Sequence, residues 1–599
     1  MTSENQNDSL VTFLYPVPPG QMEIPDGIKN AGPTVGVCLS GGGSRAFTAG
    51  IGQLQALQAI TANGSSLLSQ TTFISTVSGG SWIGIPFTYK PQTLPDADFL
   101  GTYVTPASLT LSSIEDLPAG GIAIQIARGF SIPELAVKAY TLYAKDLVPS
   151  NMLWQVLMGI HFLKPFSLYE HNEDWLPLDF FCYTQGFLDA FVLKQNPSLA
   201  DEVCYLPNPD GRPFVLSMAS MSVDSSILPT GQRLVPVMST PVFTGVWSSP
   251  EGVQQHVGGG TVTSFAFNSS PIGFGNQQAT VQQTRQWSLT DILGTSSAAF
   301  AEELIKEFQN WSASPAYFAE AMQAGKRDAI YRLGRSAEEK AEIEAFIDRT
   351  TEAALLGPAD VSGVHRAVAE LSLPTSIVPQ YQYWPVSKPH QTEAPIYDFA
   401  DGGSLENSGV AAMLATTADV VIAFINSMTP MQCVGQNTVL DTCVPPLFGY
   451  QPWDKDKSEY LKYGSEYPSK FPVYSNNQVF ATEDFQALQD GLWQANGSGA
   501  HTAYPFFVQK LTTVANSWFG IPAGKQVTVV WMYLDVSNDW KKELKDEVRL
   551  LLDLDPDLHR FPNFSTDDTG LHARQINLLS NLTAWAVQQN SEVIAKLFS

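Results

Sequence analysis

The sequence predicts an α/β protein with a mostly parallel central sheet, flanking helices and an inserted cap or lid region. Two strand-turn-helix units near the N-terminus are the first observation behind this prediction. Short apolar, β-branched runs that return in the second half of the chain are the second. Because strands that alternate with helices pair in parallel and are covered on both faces, we expect one sheet assembled from both ends of the chain.

The two N-terminal units have the same plan. Residues 34–39 are an apolar run bounded by Gly and Pro, which is typical of a buried strand, and residues 46–60 carry apolar side chains at helical spacing. Residues 71–77 form a second such run, and the small residues 78–81 follow it before another apolar stretch. Both units therefore predict a tight turn between a strand and a helix.

The remaining pattern suggests one large catalytic domain, residues 31–599, behind an N-terminal arm of residues 1–30 rich in Asn, Ser, Pro and Gly. Residues 100–210 are helical and irregular and are assigned to the cap, and residues 300–370 are predicted to form flanking helices. Further predicted elements are strands at 214–218, 396–400, 419–424 and 527–533 and a helix at 576–598. Residues 152–168 come nearest to a membrane span but are interrupted by polar residues and a proline, and they fit either a buried or cap helix or a lipid-contacting lid.

The amino-acid composition and charge argue against some classes of function. The 599 residues are 44% hydrophobic and carry 58 acidic against 33 basic residues, a net charge of -25 without any Lys/Arg cluster. Nucleic-acid binding is therefore not expected, because phosphate neutralisation needs clustered positive charge. The five cysteines lack metal-type spacing and are predicted to be reduced core thiols. The N-terminus resembles no signal peptide, which favours a cytoplasmic protein.

Three motifs carry the candidate chemistry. Residues 40–45 (SGGGSR) follow the first strand, and their amides can form an anion nest, which serves as an oxyanion hole or is merely a tight turn. A phosphate loop is not expected, because the pattern G-x-x-x-x-G-K-[ST] is not met. Ser78 lies in TVSGG after the second strand, like the serine of a nucleophile elbow, although Thr76 replaces the usual first glycine. Asp401 in DGG follows a predicted strand, where carboxylates serve catalysis in parallel-sheet enzymes and where turns are also common.

Together these motifs resemble those of the cytosolic phospholipase A2 and patatin-like lipid acyl hydrolases. GGGSRA at 41–46 is similar to the family's G-G-G-x-R-A motif, SGGSW at 78–82 to its serine motif, and DGGSLEN at 401–407 to its aspartate motif. The order of the motifs and their long separation agree as well. The resemblance implies a three-layer α/β core with an inserted cap, and the C2 domain found in some family members is not expected before residue 34.

The resemblance also implies the role of each residue. Ser78 is expected to attack the ester, Asp401 to act as its base, and the Gly42 and Gly43 amides to hold the oxyanion. Arg45 is expected to stabilise developing charge or the phosphate of a phospholipid. The implied partners are a phospholipid or lysophospholipid and, transiently, a membrane or micelle surface met through apolar cap contacts. Neither a cofactor nor a metal is expected.

Two alternatives remain open in the sequence. The first is an α/β-hydrolase whose triad is completed by His501, His559 or His572. The second is a catalytically silent lipid-binding protein on the same fold. The stretch 294–298 (GTSSA) also places a serine, Ser296, after a glycine, but no clear strand precedes it, so the stretch is predicted to be helix-capping.

Overall fold

The computed structural model describes residues 9–15, 33–208, 211–223, 234–248, 257–356, 362–386, 393–463, 474 and 476–599. The strands are β1 Ser9–Tyr15, β2 Val35–Leu39, β3 Thr61–Ala62, β4 Ser65–Ser66, β5 Phe73–Val77, β6 Asp179–Phe181, β7 Val203–Tyr205, β8 Phe214–Ser222, β9 Leu234–Ser239, β10 Phe243–Gly245, β11 Thr261–Thr263, β12 Ser270–Phe274, β13 Gln278–Gln282, β14 Gln380–Gln382, β15 Ile396–Asp401, β16 Val420–Ile425, β17 Gln432–Val434, β18 Asn437–Val439, β19 Phe506–Thr512 and β20 Gln526–Tyr533.

The α-helices are α1 Gly43–Ala59, α2 Leu67–Gln70, α3 Gly79–Tyr89, α4 Asp96–Leu100, α5 Leu111–Glu115, α6 Ile124–Ala127, α7 Ile132–Ala144, α8 Leu153–Met158, α9 Gln185–Phe187, α10 Leu289–Ser296, α11 Ala299–Ala313, α12 Pro315–Leu333, α13 Ala337–Leu356, α14 Ser362–Leu371, α15 Val410–Leu414, α16 Asp484–Ala495, α17 Asn538–Glu543, α18 Asp546–Leu554, α19 Ala573–Gln589 and α20 Ser591–Lys596. Among the described residues, no helix is both long and apolar enough to cross a membrane.

One large mixed sheet organises the molecule. Its strand order is β12-β13-β1-β11-β10-β9-β8-β5-β2-β16-β20-β19. The five strands from β8 to β20 are parallel, and antiparallel strands extend the sheet on both sides. The predicted α/β class with a parallel centre is therefore confirmed, and the antiparallel extension was not foreseen.

The sheet is covered on both faces, which makes three layers. Side chains alternate along a strand, so Leu39 and Gly36 of β2 point to opposite faces. Leu39 packs towards Gly50 of α1, whereas Gly36 lies directly against Met413 of α15. The sheet therefore separates a layer that contains α1 from a layer that contains α15.

The register in which β5 and β15 pair with β8 determines where the ends of these two strands lie. Val77, the last residue of β5, pairs in parallel with Met218 of β8. At the next residue of β8 the neighbouring strand on that edge is β15, because Asp401 pairs in antiparallel orientation with Ala219. A strand was expected at 396–400, and β15 forms there, but it is antiparallel to β8 and not parallel to it. The residues at the ends of β5 and β15 consequently occupy consecutive positions along one strand.

Most other predicted elements are present. The strands at 214–218, 419–424 and 527–533 and the helices within 300–370 form, and the final helix is split at Asn590 into α19 and α20. Residues 9–15 of the predicted arm form β1, which pairs with β11 and β13; the rest of the arm lies outside the described residues. Residues 152–163 are almost fully buried, so this apolar segment is a core element. All five cysteines are free, and Cys433 is exposed, so describing every thiol as a core residue was wrong.

Helix α1 is fixed by the last long helix of the chain. A Cβ built on Gly52 of α1 would lie 1.9 Å from the Ser580 carbonyl oxygen and 2.4 Å from Thr583 Oγ1, both on α19. The two helices therefore approach with backbone against backbone, and only glycine leaves the room. Since α1 begins at the glycine motif, its position depends on the C-terminal end of the chain.

We predict that Gly52→Ala destabilises the protein by about 1–3 kcal/mol, the usual cost of overpacking a core. Alanine gains about 1 kcal/mol in helix propensity over glycine, but a backbone carbonyl at 1.9 Å cannot move cheaply, so the clash prevails. Urea unfolding measures the change, and Gly120→Ala, where nothing lies within 4 Å of the new methyl group, is the control. Equal stability of the Gly52 variant and the wild type would contradict the close packing.

Candidate active site

Ser78 lies at a sharp turn between β5 and α3. Its backbone has φ 51° and ψ −123°, a conformation that residues with a side chain rarely adopt. Such backbone strain costs of the order of 1–3 kcal/mol and persists only where the surrounding structure enforces it. The turn presents the hydroxyl at the end of the parallel sheet, as expected of a nucleophile elbow, although Thr76 replaces the usual glycine.

The Ser78 hydroxyl contacts Asp401 directly. Ser78 Oγ donates a hydrogen bond to Asp401 Oδ2 at 2.9 Å, and both residues are buried, with 4% and 3% of their surface exposed. The Gly403 amide donates to Asp401 Oδ1 at 2.7 Å, and the Ala299 amide approaches Oδ2 at 3.4 Å. The carboxylate is therefore oriented by backbone donors and has one oxygen directed at the serine.

Burial changes the acidity of this carboxyl group. Loss of solvation raises the pKa of Asp401 from 3.8 to about 7, while the hydrogen bonds from the Gly403 amide and the Ser78 hydroxyl oppose the shift. The nearby Glu302 carboxylate raises the pKa further. A carboxyl group with a pKa near neutrality is a much stronger base than an exposed aspartate, which suits it to accept a proton from a hydroxyl group.

The glycine motif runs beside the elbow. Gly42 and Gly43 have φ 134° and 58°, which are positive values that glycine tolerates best. A Cβ on Gly79 would lie 2.2 Å from the Gly43 carbonyl oxygen, so the residue after Ser78 packs against this loop. Within the described chain, neither the Gly42 nor the Gly43 amide donates a hydrogen bond. Two free amides at the N-terminus of α1 thus lie next to the serine, an arrangement that suits an oxyanion.

Asn407 joins the glycine and aspartate motifs. Its carbonyl oxygen accepts a hydrogen bond from the Gly41 amide at 2.9 Å. Its side-chain Oδ1 lies 2.0 Å and 2.3 Å from the positions that a Cβ on Gly41 or Gly403 would occupy. Glycine is needed at both positions because the asparagine fills the space between them.

Arg45 is buried beneath the glycine loop. Its Nε donates to the Asn426 carbonyl oxygen at 2.9 Å, and its terminal nitrogens bond to the Phe564 carbonyl oxygen and to Thr566 Oγ1. Only 2% of its surface is exposed, and burial lowers the pKa of the guanidinium to about 10, so it remains charged at neutral pH. These contacts connect α1 to the segments around 426 and 564–566.

Aromatic side chains form an apolar wall beside the site. Phe300 of α11 lies against Gly43 and packs on Trp82 and Trp154, with ring centroids 5.1 Å and 5.9 Å away. Trp82 also stacks on Phe162, which belongs to the predicted cap region. The cluster makes the surroundings of the glycine loop apolar.

The histidines of the triad alternative lie beside other groups. His501 Nδ1 lies 3.5 Å from Asp535, His559 contacts the Pro556 carbonyl oxygen, and His572 Nε2 is 3.9 Å from Asp557. In the described chain, none of the hydrogen-bond partners of Ser78 or Asp401 is a histidine. Nor do the described residues contain a group of three His, Cys, Asp or Glu side chains able to hold a metal ion.

Sequence reasoning missed three contributions to the site. The Ser296 hydroxyl accepts a hydrogen bond from the Ser78 amide at 3.0 Å, the Ala299 amide approaches Asp401, and Phe300 covers Gly43. The stretch 294–298 was predicted to be helix-capping, and it does contain the C-cap of α10, Ser297, and the N-cap of α11, Ala298. The only signal in the sequence was the serine after a glycine in GTSSA.

Comparison with known proteins gives local matches. No protein-family profile matches the chain. Lysophospholipase 2 of Candida albicans is 39% identical over 82 residues, which is 13% of both chains. Lysophospholipase 2 of Aspergillus fumigatus is 37% identical over 91 residues, 13% of this chain and 16% of that protein. This local likeness to lysophospholipases confirms the resemblance to lipid acyl hydrolases that the motifs indicate.

One solved structure aligns with more of this chain than the lysophospholipases do, but at lower sequence identity. Human GIVD cytosolic phospholipase A2 aligns with 94% of this chain at 13% identity and a TM-score of 0.44, and the alignment covers 60% of that protein. Its complex with methyl gamma-linolenyl fluorophosphonate gives a TM-score of 0.40 at 12% identity, over 94% of this chain and 59% of that one.

We predict that Asp401→Asn stabilises the protein at high pH. The folded pKa is raised, so the wild type loses stability as the pH rises from about 4 to 7, and three pKa units correspond to up to about 4 kcal/mol. Asparagine does not ionise and escapes this loss. Urea unfolding at pH 5 and pH 8 tests the prediction, with Asp398→Asn on the same strand as the control. Parallel pH dependence of the Asp401 variant and the wild type would contradict the raised pKa.

Proposed function

We propose that this protein is a lipid acyl hydrolase that cleaves the carboxylic esters of phospholipids or lysophospholipids through a Ser78–Asp401 dyad. The observation that carries the proposal is the 2.9 Å hydrogen bond from Ser78 Oγ to Asp401 Oδ2, beside two unbonded glycine amides. A strained serine, a desolvated base and a prepared oxyanion site are the three components that acyl transfer requires.

The chemistry follows from these positions. Ionised Asp401 accepts the proton of the Ser78 hydroxyl as Oγ attacks the ester carbonyl carbon. The Gly42 and Gly43 amides stabilise the resulting oxyanion, and the protonated carboxyl group returns its proton to the departing alcohol. Water then enters and attacks the acyl carbonyl carbon while it gives a proton to Asp401. Asp401 passes this proton to Ser78 Oγ as the acyl bond breaks, which releases the fatty acid and restores both residues.

A lipid substrate is favoured by the surroundings of the dyad and by the relatives. Trp82, Trp154 and Phe300 pack beside the glycine loop and make its surroundings apolar, which favours an apolar substrate. The names of the matched proteins, lysophospholipase and phospholipase A2, agree with such a substrate. We assign Arg45 a positioning role beneath the oxyanion loop, because its guanidinium is bonded to backbone carbonyl oxygens.

We further propose that the protein is cytoplasmic and meets membranes or micelles transiently through apolar contacts. Its net charge of -25 repels anionic surfaces, so long-range electrostatic attraction does not bring it to lipid. Leu147, in the predicted cap region, has 76% of its surface exposed and is an apolar residue suited to such contact. Ser78 and Asp401 are nearly closed off from solvent, so substrate entry requires a displacement of the groups that cover them.

Mutation of the dyad tests the proposed chemistry. We predict that Ser78→Ala abolishes hydrolysis across a lipid panel and that Asp401→Asn reduces it by about 10⁴-fold, the scale seen when a triad carboxylate is neutralised. His501→Ala, His559→Ala and His572→Ala, made singly, are expected to cost little, because in the described chain no histidine is hydrogen-bonded to Ser78 or Asp401. Mass spectrometry of the fatty acid and the glycerol product identifies the substrate. A folded histidine variant as inactive as Ser78→Ala would favour the triad instead.

The pH profile supplies an independent test. Because only ionised Asp401 accepts the serine proton, we predict that kcat/KM is half-maximal near pH 7, constant above it, and about tenfold lower for each unit below. Glu302→Gln should move the midpoint to lower pH, since the Glu302 carboxylate raises the pKa of Asp401. Glu303→Gln, next to it on α11 and paired with Lys306, is the control. Full activity at pH 5 would contradict the raised pKa.

A further inference from the structure

One short stretch of chain contacts all three parts of the proposed catalytic apparatus. It lies where α10 ends and α11 begins. Ser296 Oγ accepts the Ser78 amide at 3.0 Å, and the Ala299 amide approaches Asp401 Oδ2 at 3.4 Å. The ring of Phe300 lies 2.8 Å from where a Cβ on Gly43 would be. Nucleophile, base and oxyanion loop come from three separate elements, and this stretch touches each of them.

The hydrogen bonds of Ser296 fix the direction of its hydroxyl group. Its single proton is donated to the Met218 carbonyl oxygen at 2.7 Å, so its lone pairs remain for acceptance. One lone pair faces the Ser78 amide, and Ser81 Oγ lies 2.8 Å away. The whole group is buried, with no surface of Ser296 exposed. The hydroxyl therefore acts as a fixed acceptor for the amide of the strained serine.

Met218 connects this acceptor to the rest of the site. It pairs with Val77, the residue before Ser78, and its carbonyl oxygen lies 2.4 Å from where a Cβ on Gly402 would be. Ser296 is thus hydrogen-bonded to the same β8 residue that lies between the elbow and the aspartate motif. A displacement of the hydroxyl alters the position of Ser78 relative to Asp401.

We propose that Ser296 is a positioning residue that holds Ser78 in its strained conformation and directs its Oγ at Asp401. The inference rests on the proposed function, because positioning has a kinetic consequence only if Ser78 is the nucleophile. Ser296 itself touches no substrate. Its loss leaves the Ser78 amide without its acceptor and allows the elbow to relax, which lengthens the contact to the base.

The neighbouring residue supplies a matched control. Ser297 has no exposed surface either, and it donates its proton to a backbone carbonyl, that of Leu293, at 2.7 Å. It accepts the Trp154 indole N–H at 3.3 Å and contacts none of the groups of the dyad. Ser297→Ala therefore removes a hydroxyl of similar burial and bonding from the same helix end without touching Ser78.

The experiment compares Ser296→Ala, Ser297→Ala, Ser78→Ala and the wild type. For Ser296→Ala we expect kcat and the rate of fluorophosphonate labelling at Ser78 to fall about 10- to 100-fold, the usual effect of slight misplacement of a reacting group, with KM changed less than about twofold. For Ser297→Ala we expect kcat and the labelling rate to stay within about twofold of the wild type. We expect the decrease in Tm to be similar in Ser296→Ala and Ser297→Ala.

Each outcome decides the proposal. Wild-type kcat in folded Ser296→Ala, or equal loss of kcat in both variants, overturns it and leaves Ser296 with a structural role. If Ser296→Ala does not fold, Ser296→Cys keeps nearly the same shape with a weaker acceptor, and wild-type kcat in that variant overturns the proposal as well. Labelling that persists in Ser78→Ala refutes the nucleophile, and with it the proposed function, whatever the other variants show.

Discussion

The register of two strands on β8 is the constraint on which the candidate site depends. Val77 pairs with Met218 and Asp401 pairs with Ala219, so β5 and β15 end at consecutive residues of the same strand. Backbone hydrogen bonding thereby brings together two residues that are 323 positions apart and sets their oxygens 2.9 Å from each other. A slip of either strand by one residue would turn its side chains to the other face of the sheet and separate the pair.

Burial then gives this contact its chemical character. An aspartate in water is too weak a base to accept a proton from a hydroxyl group efficiently, whereas desolvation raises the pKa of Asp401 to about 7. The same burial costs folding free energy at neutral pH, because the ionised carboxylate is less favourable inside the protein than outside it. Burial of Asp401 thus lowers the stability of the protein while it makes the carboxylate the stronger base that the proposed chemistry needs. Such an exchange of stability for activity is common at active sites.

The elements that support the site come from distant parts of the chain. The glycine loop begins α1, which α19 fixes by close backbone contact at Gly52, and Arg45 connects the loop to the segments near 426 and 564–566. The stretch from Ser296 to Phe300 reaches the serine, the aspartate and the loop from a third direction. The arrangement explains why residues near both ends of the chain and in its middle are needed to form one small site.

The sequence by itself determined the local elements. Apolar β-branched runs predicted β2, β5, β16 and β20, because burial on both faces demands such residues. It also marked Ser78, Asp401 and the glycines, since tight turns and close backbone approach limit the residue types allowed. Only the tertiary structure decided that β15 runs antiparallel to β8, that Arg45 bonds to buried carbonyl oxygens and that Ser296 supports Ser78. Those facts depend on pairings across hundreds of residues, which no local pattern encodes.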